Sequence, residues 1–481
     1  MQTTIRPPQV ENRTSERATT PTARRSPPIA TESVRRRFDR EAARQRFTAV
    51  VAISALAISI VSVSRSTGTP ADAEEPPASA ATPLENTFVE TPPEGLFGKW
   101  ELRGGTGLAG VSSEAGVGTV LGRYWVKEPG GTLRGDAIAH GRLLDISSTD
   151  YDQVYRLDLA SGEVVGTLPA AGRVTVAAVS GRLAPAFGDT PVPITVYVDE
   201  FGTVYGRAAE GSAAWSHALS ESVTAAPVIA GGEAVVVTRS GRVHGFNADG
   251  HTWTFPARGT TEPISVSPAF QDGTWYVADD GGIVHQITSA DGTACSRSLG
   301  LPPVGNIVVE DNLVYVQSIG HLASFPSGEC FGGLKIVPSA IDTSNAIAVH
   351  NGVVFTTDGQ LLFPFRPDEI TGSALGSDTP VGVWDGPFVA GTDITTPPVV
   401  AAGLVYFGTR EGLVFAVDEF TGDERWRFDA DLATGADVSI QGSPVVLDGA
   451  VIVTTSGGHV IAIAGTAPAA SSDGGTRSSM R

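Results

Sequence analysis

Lysine is almost absent from this chain of 481 residues, which contains only Lys99, Lys127 and Lys335. Arginine supplies most of the basic charge, and the formal net charge is −19. Residues 1–46 hold eleven arginines and five acidic residues, so the rest of the chain is even more acidic than the total. Because an acidic body repels phosphate groups, the composition argues against a nucleic-acid partner.

Cysteine is also scarce, and two common hydrolase motifs are absent from the sequence. The chain has two cysteines, Cys295 and Cys330, which are too far apart in sequence to form a disulfide between adjacent residues. No H-E-x-x-H pattern places two histidines for zinc, and no G-x-S-x-G turn places a serine nucleophile. The sequence therefore favours neither a zinc hydrolase nor a serine hydrolase.

One apolar run, residues 47–64, is long enough to cross a membrane. It has no charged residue, and as a helix its 18 residues would extend about 27 Å. Arginines crowd the side before the run, whereas the side after it has one arginine and then acidic residues. The positive-inside rule places the N-terminus in the cytoplasm and everything after residue 65 outside it. We therefore expect a single-pass protein of the cell membrane with an uncleaved signal-anchor helix.

A cleaved signal peptide is the alternative, since Ala71-Asp72-Ala73 resembles a cleavage site. The long basic region and the distance of Ala71 from the apolar run favour the anchor. No cysteine closely follows the run, which excludes lipoprotein processing. Composition predicts three disordered segments: the Arg-rich cytoplasmic residues 1–46, the Pro-, Ala- and Glu-rich linker 65–95, and the tail 467–481.

A turn followed by a short apolar strand recurs along the last three hundred residues. The marker residues of the repeats are Val154, Val204, Val243, Val284, Leu322, Leu362, Val414 and Val460. A period near forty residues built from short strands is typical of a β-propeller with one blade per repeat. The sequence therefore predicts an all-β domain over residues 96–466, with eight blades of four antiparallel strands. Two irregular steps, of 50 and 52 residues, leave seven blades as the alternative.

The seventh repeat shows the strand pattern most completely. Apolar strands at 404–408 and 412–417 are followed by the turn Thr421-Gly422-Asp423 and an outer strand with Trp426. Partial copies place Trp215 and Trp253 at similar points. This pattern resembles the pyrroloquinoline quinone (PQQ)-like propeller repeat over about residues 96–466. The family includes quinoprotein dehydrogenases and non-enzymatic scaffolds such as the BamB lipoprotein, and the chain is more similar to the non-enzymatic branch.

The residues that the family's enzymes use are not recognisable in this chain. Those enzymes cover PQQ with adjacent cysteines, bind Ca²⁺ through carboxylate and amide oxygens, and use an aspartate as base. The acidic pairs Asp279-Asp280 and Asp150 with Asp152 fall in predicted turns, where solvated side chains are the simpler interpretation. We expect no catalytic residue, no metal and no cofactor, neither PQQ nor Ca²⁺. We expect the repeat residues Trp215, Trp253 and Trp426 to pack between blades.

Ring closure is predicted from an incomplete repeat. The eighth repeat lacks a tryptophan-bearing outer strand, and residues 96–102, with Trp100, resemble the missing strand. A strand donated from the start of the domain would join the first and last blades and remove an exposed edge.

The cysteines and histidines also occupy repeat-related positions. Cys295 and Cys330 lie at similar points of consecutive repeats, so in an exported domain they could form a disulfide between neighbouring blades. Two free buried thiols are the alternative. His244 and His285 share one repeat position, and His321 and His459 share another. Such repetition favours packing or turn roles over metal binding.

These patterns favour a membrane-anchored extracytoplasmic propeller that acts as a non-catalytic scaffold. Its expected partners are the membrane and an envelope protein whose identity the sequence does not specify. A PQQ-dependent dehydrogenase is one alternative, and a bound quinone would distinguish it. A ligand- or glycan-sensing receptor ectodomain is the other, and a cytoplasmic partner of the Arg-rich segment would favour it.

Overall fold

The computed structural model describes residues 99–100, 110–114, 116–188, 190–208, 213–256, 262–288, 294–338, 345–368 and 383–466. These residues form eight β-sheets and one short helix. The predicted transmembrane run and the segments 1–46, 65–95 and 467–481 lie outside the described residues. Within the described ranges, no helix is long and apolar enough to span a membrane.

Three strands precede the first complete blade: β1 (Lys99–Trp100), β2 (Val111–Ser112) and β3 (Thr119–Lys127). Blade 1 contains β4 (Leu133–His140), β5 (Leu143–Ser148), β6 (Gln153–Asp158) and β7 (Val164–Pro169). Blade 2 contains β8 (Val179–Leu183), β9 (Val192–Val198), β10 (Thr203–Ala208) and β11 (Ala213–Ala218). Blade 3 contains β12 (Val228–Ala230), β13 (Glu233–Val237), β14 (Val243–Asn247) and β15 (Gly250–Phe255). Blade 4 contains β16 (Ala269–Gln271), β17 (Thr274–Ala278), β18 (Ile283–Thr288) and β19 (Ala294–Ser298).

Blade 5 contains β20 (Pro303–Glu310), β21 (Leu313–Ser318), β22 (His321–Pro326) and β23 (Lys335–Pro338). Blade 6 contains β24 (Ala348–His350), β25 (Val353–Asp358), β26 (Leu361–Phe365) and β27 (Phe388–Val389). Blade 7 contains β28 (Val399–Ala401), β29 (Leu404–Gly408), β30 (Leu413–Asp418) and β31 (Glu424–Asp429), followed by α1 (Ala430–Thr434). Blade 8 contains β32 (Ile440–Leu447), β33 (Ala450–Thr455) and β34 (Val460–Thr466), with β3 as its fourth strand.

The prediction of an eight-bladed propeller is confirmed. Each of the eight marker residues lies in the third strand of a different blade. The long steps between markers come from long connections: residues 184–191 join β8 to β9, and residues 366–387 join β26 to β27. They do not conceal a false repeat.

Burial follows the position of a strand within its blade. The middle strands are buried on both faces, as in β29 and β33, because neighbouring blades cover them on each side. The outer strand β31 instead alternates buried and exposed residues, since one of its faces meets solvent. The apolar core is therefore a series of layers between blades, and each blade is held mainly by its two neighbours.

The ring is closed by β3, and the prediction that residues 96–102 supply the closing strand is wrong. Strand β3 pairs antiparallel with β34 from Thr119 opposite Thr466 to Lys127 opposite Val460. Residues Lys99 and Trp100 pair instead with the inner strand of blade 1, opposite His140 and Ala139. The closing strand does come from the start of the domain. The longer strand β3 completes blade 8, whereas β1 extends blade 1 at its inner edge.

Strand β2 occupies a second inner edge. It pairs parallel with β28, with Val111 opposite Val400. The chain then crosses between blades 7 and 8 to reach β3, and this crossing is anchored by hydrogen bonds. The Val117 amide donates to the Tyr406 hydroxyl at 3.1 Å, and the Gly116 carbonyl accepts from Gly449 at 3.1 Å. The segment before β3 therefore connects the inner edge of the ring to its outer edge.

Candidate functional site

The predicted repeat tryptophans occupy one register position on the outer strands. Trp215, Trp253 and Trp426 lie opposite Gly206, Gly245 and Ala416 of the adjacent third strands. The small partner residue is required by space, because a Cβ on Gly206 or Gly245 would lie 2.2 Å from the facing indole. Trp125 of β3 occupies the same position in blade 8, opposite Ala462.

Three of these four indoles contact the next blade, and the fourth, Trp253, donates through Nε1 to the Glu233 carboxylate of its own blade at 3.3 Å. Trp215 stacks on Phe246 of blade 3 with ring centroids 5.2 Å apart. Trp426 donates through Nε1 to the Val117 carbonyl at 2.7 Å, and Trp125 donates to the Leu159 carbonyl of blade 1 at 2.9 Å. Trp384, just before β27, donates to the Glu419 carbonyl of blade 7 at 2.9 Å. The tryptophans therefore join blades, as expected for Trp215 and Trp426, and none of these indole contacts forms a stacking floor for a ligand.

The Cys295–Cys330 disulfide is confirmed, with the two Cα atoms 5.8 Å apart. Cys295 lies on β19 opposite Gln286, at the register position that tryptophan occupies in blades 2, 3, 7 and 8. Cys330 lies in the turn between β22 and β23 of blade 5. The prediction that both cysteines occupy equivalent points of their repeats is therefore wrong. The disulfide joins an outer strand to the next blade's turn, where other blades use an indole.

Blades 1 and 2 are joined by a buried polar cluster around Asp145. Arg156 donates to both Asp145 oxygens at 2.8 and 2.9 Å, and His140 Nε2 lies 3.0 Å from Oδ2. From blade 2, the Ser180 and Thr195 hydroxyls each donate to Oδ2 at 3.1 Å. Burial opposes ionisation of Asp145, but the hydrogen bonds and charges of Arg156 and His140 outweigh it and hold its pKa well below the ordinary value. These hydrogen bonds connect blades 1 and 2 through buried side chains whose polar groups are paired.

Two exposed aromatic side chains lie above this junction, at the end of the propeller that carries the turns between second and third strands. Tyr151 is 47% exposed and Phe201 is 63% exposed. Each ring lies close to a glycine: a Cβ on Gly131 would be 2.7 Å from Tyr151, and one on Gly172 would be 2.6 Å from Phe201. We call Tyr151, Phe201 and the connecting residues 170–173 the blade 1–2 patch.

The backbone of the blade 1–2 patch is held by hydrogen bonds. The Asp152 carbonyl accepts from Ala170 at 2.8 Å, and the Glu200 amide donates to the Arg173 carbonyl at 2.8 Å. Asp199 accepts from the Phe201 amide at 3.0 Å and from the hydroxyl of Tyr205 at 2.8 Å. The aromatic side chains therefore project from a turn surface that is ordered before any partner binds, which lowers the entropy cost of association.

Three other exposed phenylalanines lie away from the blade 1–2 patch. Phe187 is 95% exposed in the connection between β8 and β9, and Phe331 is 84% exposed between β22 and β23. Phe420, in the turn between β30 and β31, is 64% exposed. All three belong to the opposite end of the propeller, on three different blades. They provide useful controls for experiments on the blade 1–2 patch.

The repeat histidines lie within or directly beside the third strands of their blades, and the acidic pairs lie in turns. His285 contacts Ser296 Oγ at 2.8 Å and Asp279 Oδ2 at 3.2 Å, and Asp279 also accepts from the Ile283 amide. His459 Nδ1 lies 3.2 Å from Thr455 Oγ1. Burial lowers the pKa of His244 to about 4, so this residue is neutral at physiological pH. Asp150 accepts from the Thr132 amide at 2.6 Å. These side chains order the connections between strands.

The described residues show neither the metal-binding cluster nor the adjacent cysteines that the family's enzymes use with PQQ. No group of three or more His, Cys, Asp or Glu side chains in the described ranges is arranged to hold a metal ion. The disulfide lies on outer elements rather than between adjacent cysteines. Two inner-strand edges are already paired with β1 and β2.

Comparison with protein-family models assigns this propeller to a family. The family described as outer membrane protein assembly factor BamB matches residues 172–362 and 367–468, more than half of the chain. The chain belongs to this family. A comparison with curated proteins found no match.

Solved structures similar to this BamB-family propeller include a BamB and two dehydrogenases. BamB from Moraxella catarrhalis aligns with a TM-score of 0.53 and 17% identity, covering 72% of this chain and 100% of that one. A europium-containing methanol dehydrogenase aligns at 0.54 and 14% identity, covering 74% and 89%. The quinohemoprotein alcohol dehydrogenase from Comamonas testosteroni aligns at 0.56 and 11% identity, covering 76% and 80%. Identities this low show a shared fold alone.

Proposed function

We propose that this protein is a membrane-anchored, non-catalytic scaffold that binds another protein of the cell envelope through the blade 1–2 patch. The observation that carries the proposal is the pair of exposed aromatic side chains on an ordered turn surface. Membership of a family described as an assembly factor agrees with it. Binding energy at protein interfaces is concentrated in a few such anchors, and aromatic residues are enriched among them.

Removing both anchors tests the proposal. We expect Tyr151→Ala with Phe201→Ala to reduce co-purification of membrane proteins by at least about tenfold, since two aromatic anchors contribute more than 1 kcal/mol each. The single variant Phe187→Ala is the matched control, because it removes a more exposed phenylalanine from the opposite end. Thermal melting of each variant shows whether the fold is retained. Unchanged recovery of partners from the folded double variant would refute the proposed binding surface.

The membrane part of the proposal rests on the apolar run at residues 47–64 and its arginine-rich flank. It places the propeller outside the cytoplasm, where a disulfide is stable. Protease added to intact cells should digest the propeller and spare residues 1–46. A propeller that stays protected until the membrane is permeabilised would contradict this topology.

A PQQ-dependent dehydrogenase is the second candidate, favoured by the structural likeness to two dehydrogenases. A cofactor that binds only the folded protein must raise its melting temperature. Incubation of the purified protein with PQQ and Ca²⁺ distinguishes the candidates: the scaffold predicts no stabilisation and no dye-linked oxidation of alcohols or sugars. Stabilisation with turnover would replace the scaffold with the enzyme.

A further inference from the structure

Two carboxylates and a histidine meet where blades 5, 6 and 7 adjoin, at the end opposite the blade 1–2 patch. Glu310 ends β20 of blade 5, and His350 ends β24 of blade 6. Glu419 lies in the turn between β30 and β31 of blade 7. His350 Nδ1 lies 2.5 Å from Glu419 Oε1, and the Glu419 side chain is only 4% exposed. Each group thus comes from a different blade.

The inner strands bring two of these groups to equivalent positions. Glu310 pairs with Leu313 across the first turn of its blade, as His350 pairs with Val353 and as Gln271 pairs with Thr274 in blade 4. The Asn351 and Gly352 amides of blade 6 donate to Glu310. Blade 6 is therefore contacted from one side by a carboxylate of blade 5 and from the other by a carboxylate of blade 7.

Each carboxylate leaves one oxygen buried without a hydrogen bond. Glu310 Oε2 and Glu419 Oε2 are both inaccessible to solvent and have no partner among the described residues. A buried, unpartnered carboxylate oxygen is costly when the group is ionised, and protonation removes most of that cost. The contact that Glu310 makes with blade 6 is therefore sensitive to the protonation of Glu310.

Acidic groups outnumber basic ones around this cluster. The charged and titratable groups that face it are Asp311, Tyr315, Arg366 and Asp368, in addition to Glu310, His350 and Glu419. Arg366 donates to the Asn351 carbonyl at 3.2 Å, and Asp311 directly follows Glu310. A further negative charge on Glu310 would thus be added to a site that is already negative.

The titration of two members follows from these contacts. Burial, and then the neighbouring charge of Asp311, raises the pKa of Glu310 to about 7. The hydrogen bond to Glu419 raises the pKa of His350 above its ordinary value, although burial opposes this. For both groups the folded state holds its proton more tightly than the unfolded state does. Their stabilising effect is therefore present at acidic pH and is lost as the pH rises through neutrality.

Blade 6 has the shortest outer strand among the described blades. Its outer strand β27 has two residues, which pair only with Leu361 and Leu362. Its inner strand β24 has three residues. Few backbone hydrogen bonds therefore hold blade 6 together, and a change at its borders should alter its local stability.

We propose that Glu310, His350 and Glu419 form a proton-controlled contact that holds blade 6 between blades 5 and 7 below neutral pH and releases it above. Protonated Glu310 and His350 bring the cluster close to charge balance, and His350 bridges to Glu419. Loss of both protons leaves Glu310 ionised beside Asp311 and removes the positive charge of His350 beside Glu419. Blade 6 then opens locally while the other blades stay closed.

Hydrogen exchange of the full-length protein at pH 6 and pH 8.5, corrected for intrinsic rates, tests this proposal. We expect protection of residues 353–365 to fall by at least about tenfold at the higher pH, as one pKa unit implies. Residues 274–288 of blade 4, where Gln271 replaces Glu310, serve as the internal reference and should change little. Equal protection of blade 6 at both pH values would overturn the proposal.

The variant Glu310→Gln separates this contact from a general effect of pH. Because blade 4 already carries glutamine at this position, the substitution suits the turn, and we expect it to reduce the pH dependence of blade 6. Asp272→Asn, in the corresponding turn of blade 4, is the matched control and should leave that dependence unchanged. Full pH dependence in Glu310→Gln would overturn the assignment. If this variant does not fold, the pH comparison in the parent protein still decides the outcome.

Discussion

Replacing Trp125 with alanine should lower the free energy of unfolding by about 3 to 5 kcal/mol, the range for truncating a large buried aromatic residue. The side chain is buried, and its Nε1 donates to the Leu159 carbonyl across the junction between the last and first blades. Truncation therefore leaves a cavity and an unpartnered carbonyl where the ring closes. Chemical denaturation followed by circular dichroism measures the loss, since the readout does not depend on tryptophan fluorescence.

Leu121→Ala is the matched control on the same strand. Leu121 is 50% exposed, so its truncation should cost less than about 1 kcal/mol. Deleting residues 119–127 should have a still larger effect, because it exposes the edge of β34 and allows aggregation. If Trp125→Ala and the parent protein unfold at the same denaturant concentration, β3 is not the strand that closes the ring.

Removing the disulfide should cost about 3 to 4 kcal/mol of stability on the chain-entropy estimate. The estimate uses the separation of 35 residues between Cys295 and Cys330. The double variant Cys295→Ala, Cys330→Ala should also increase hydrogen exchange in the turn between β22 and β23. Arg297 still donates to the Gly332 carbonyl at 2.7 Å, so this turn should loosen without detaching.

The reduced parent protein is the control for this second effect. It should resemble the double variant in stability, because both lack the same covalent link. A double variant that retains the full stability of the oxidised parent would show that the disulfide contributes nothing to the junction between blades 4 and 5. In that case Cys295 would share the register position of the repeat tryptophans without sharing their role in joining blades.

The number of blades was predictable because every repeat carries its own marker strand. A buried third strand needs apolar residues in each blade, so the period survives even where turns and outer strands vary. The pairing of Cys295 with Cys330 was also predictable, from their placement in consecutive repeats of a domain expected outside the cytoplasm. Their locations were not, because the connection before Cys330 differs in length from that before Cys295.

The closing strand was predicted incorrectly because two N-terminal segments have sequences that suit the fourth strand of blade 8. Residues 96–102 and strand β3 both contain a tryptophan among charged and apolar residues. Only long-range contacts distinguish them, above all that of Trp125 with Leu159 in blade 1.

The blade 1–2 patch was not predictable from the sequence, because exposure is a property of the folded turn. Tyr151 and Phe201 belong to residue types that are usually buried, and both follow an acidic residue in a turn. The Asp145 junction was missed for a related reason. Its members come from five strands of two blades, and no local spacing connects them.

Site-specific photo-crosslinking in intact cells tests the proposed scaffold most directly. A photoreactive amino acid at position 151 or 201 should form a crosslink to one envelope protein, whereas position 187 should not. The crosslink should disappear when the second aromatic residue of the patch is replaced by alanine. Crosslinks at position 187 alone, or none at 151 and 201 in a folded protein, would contradict the account.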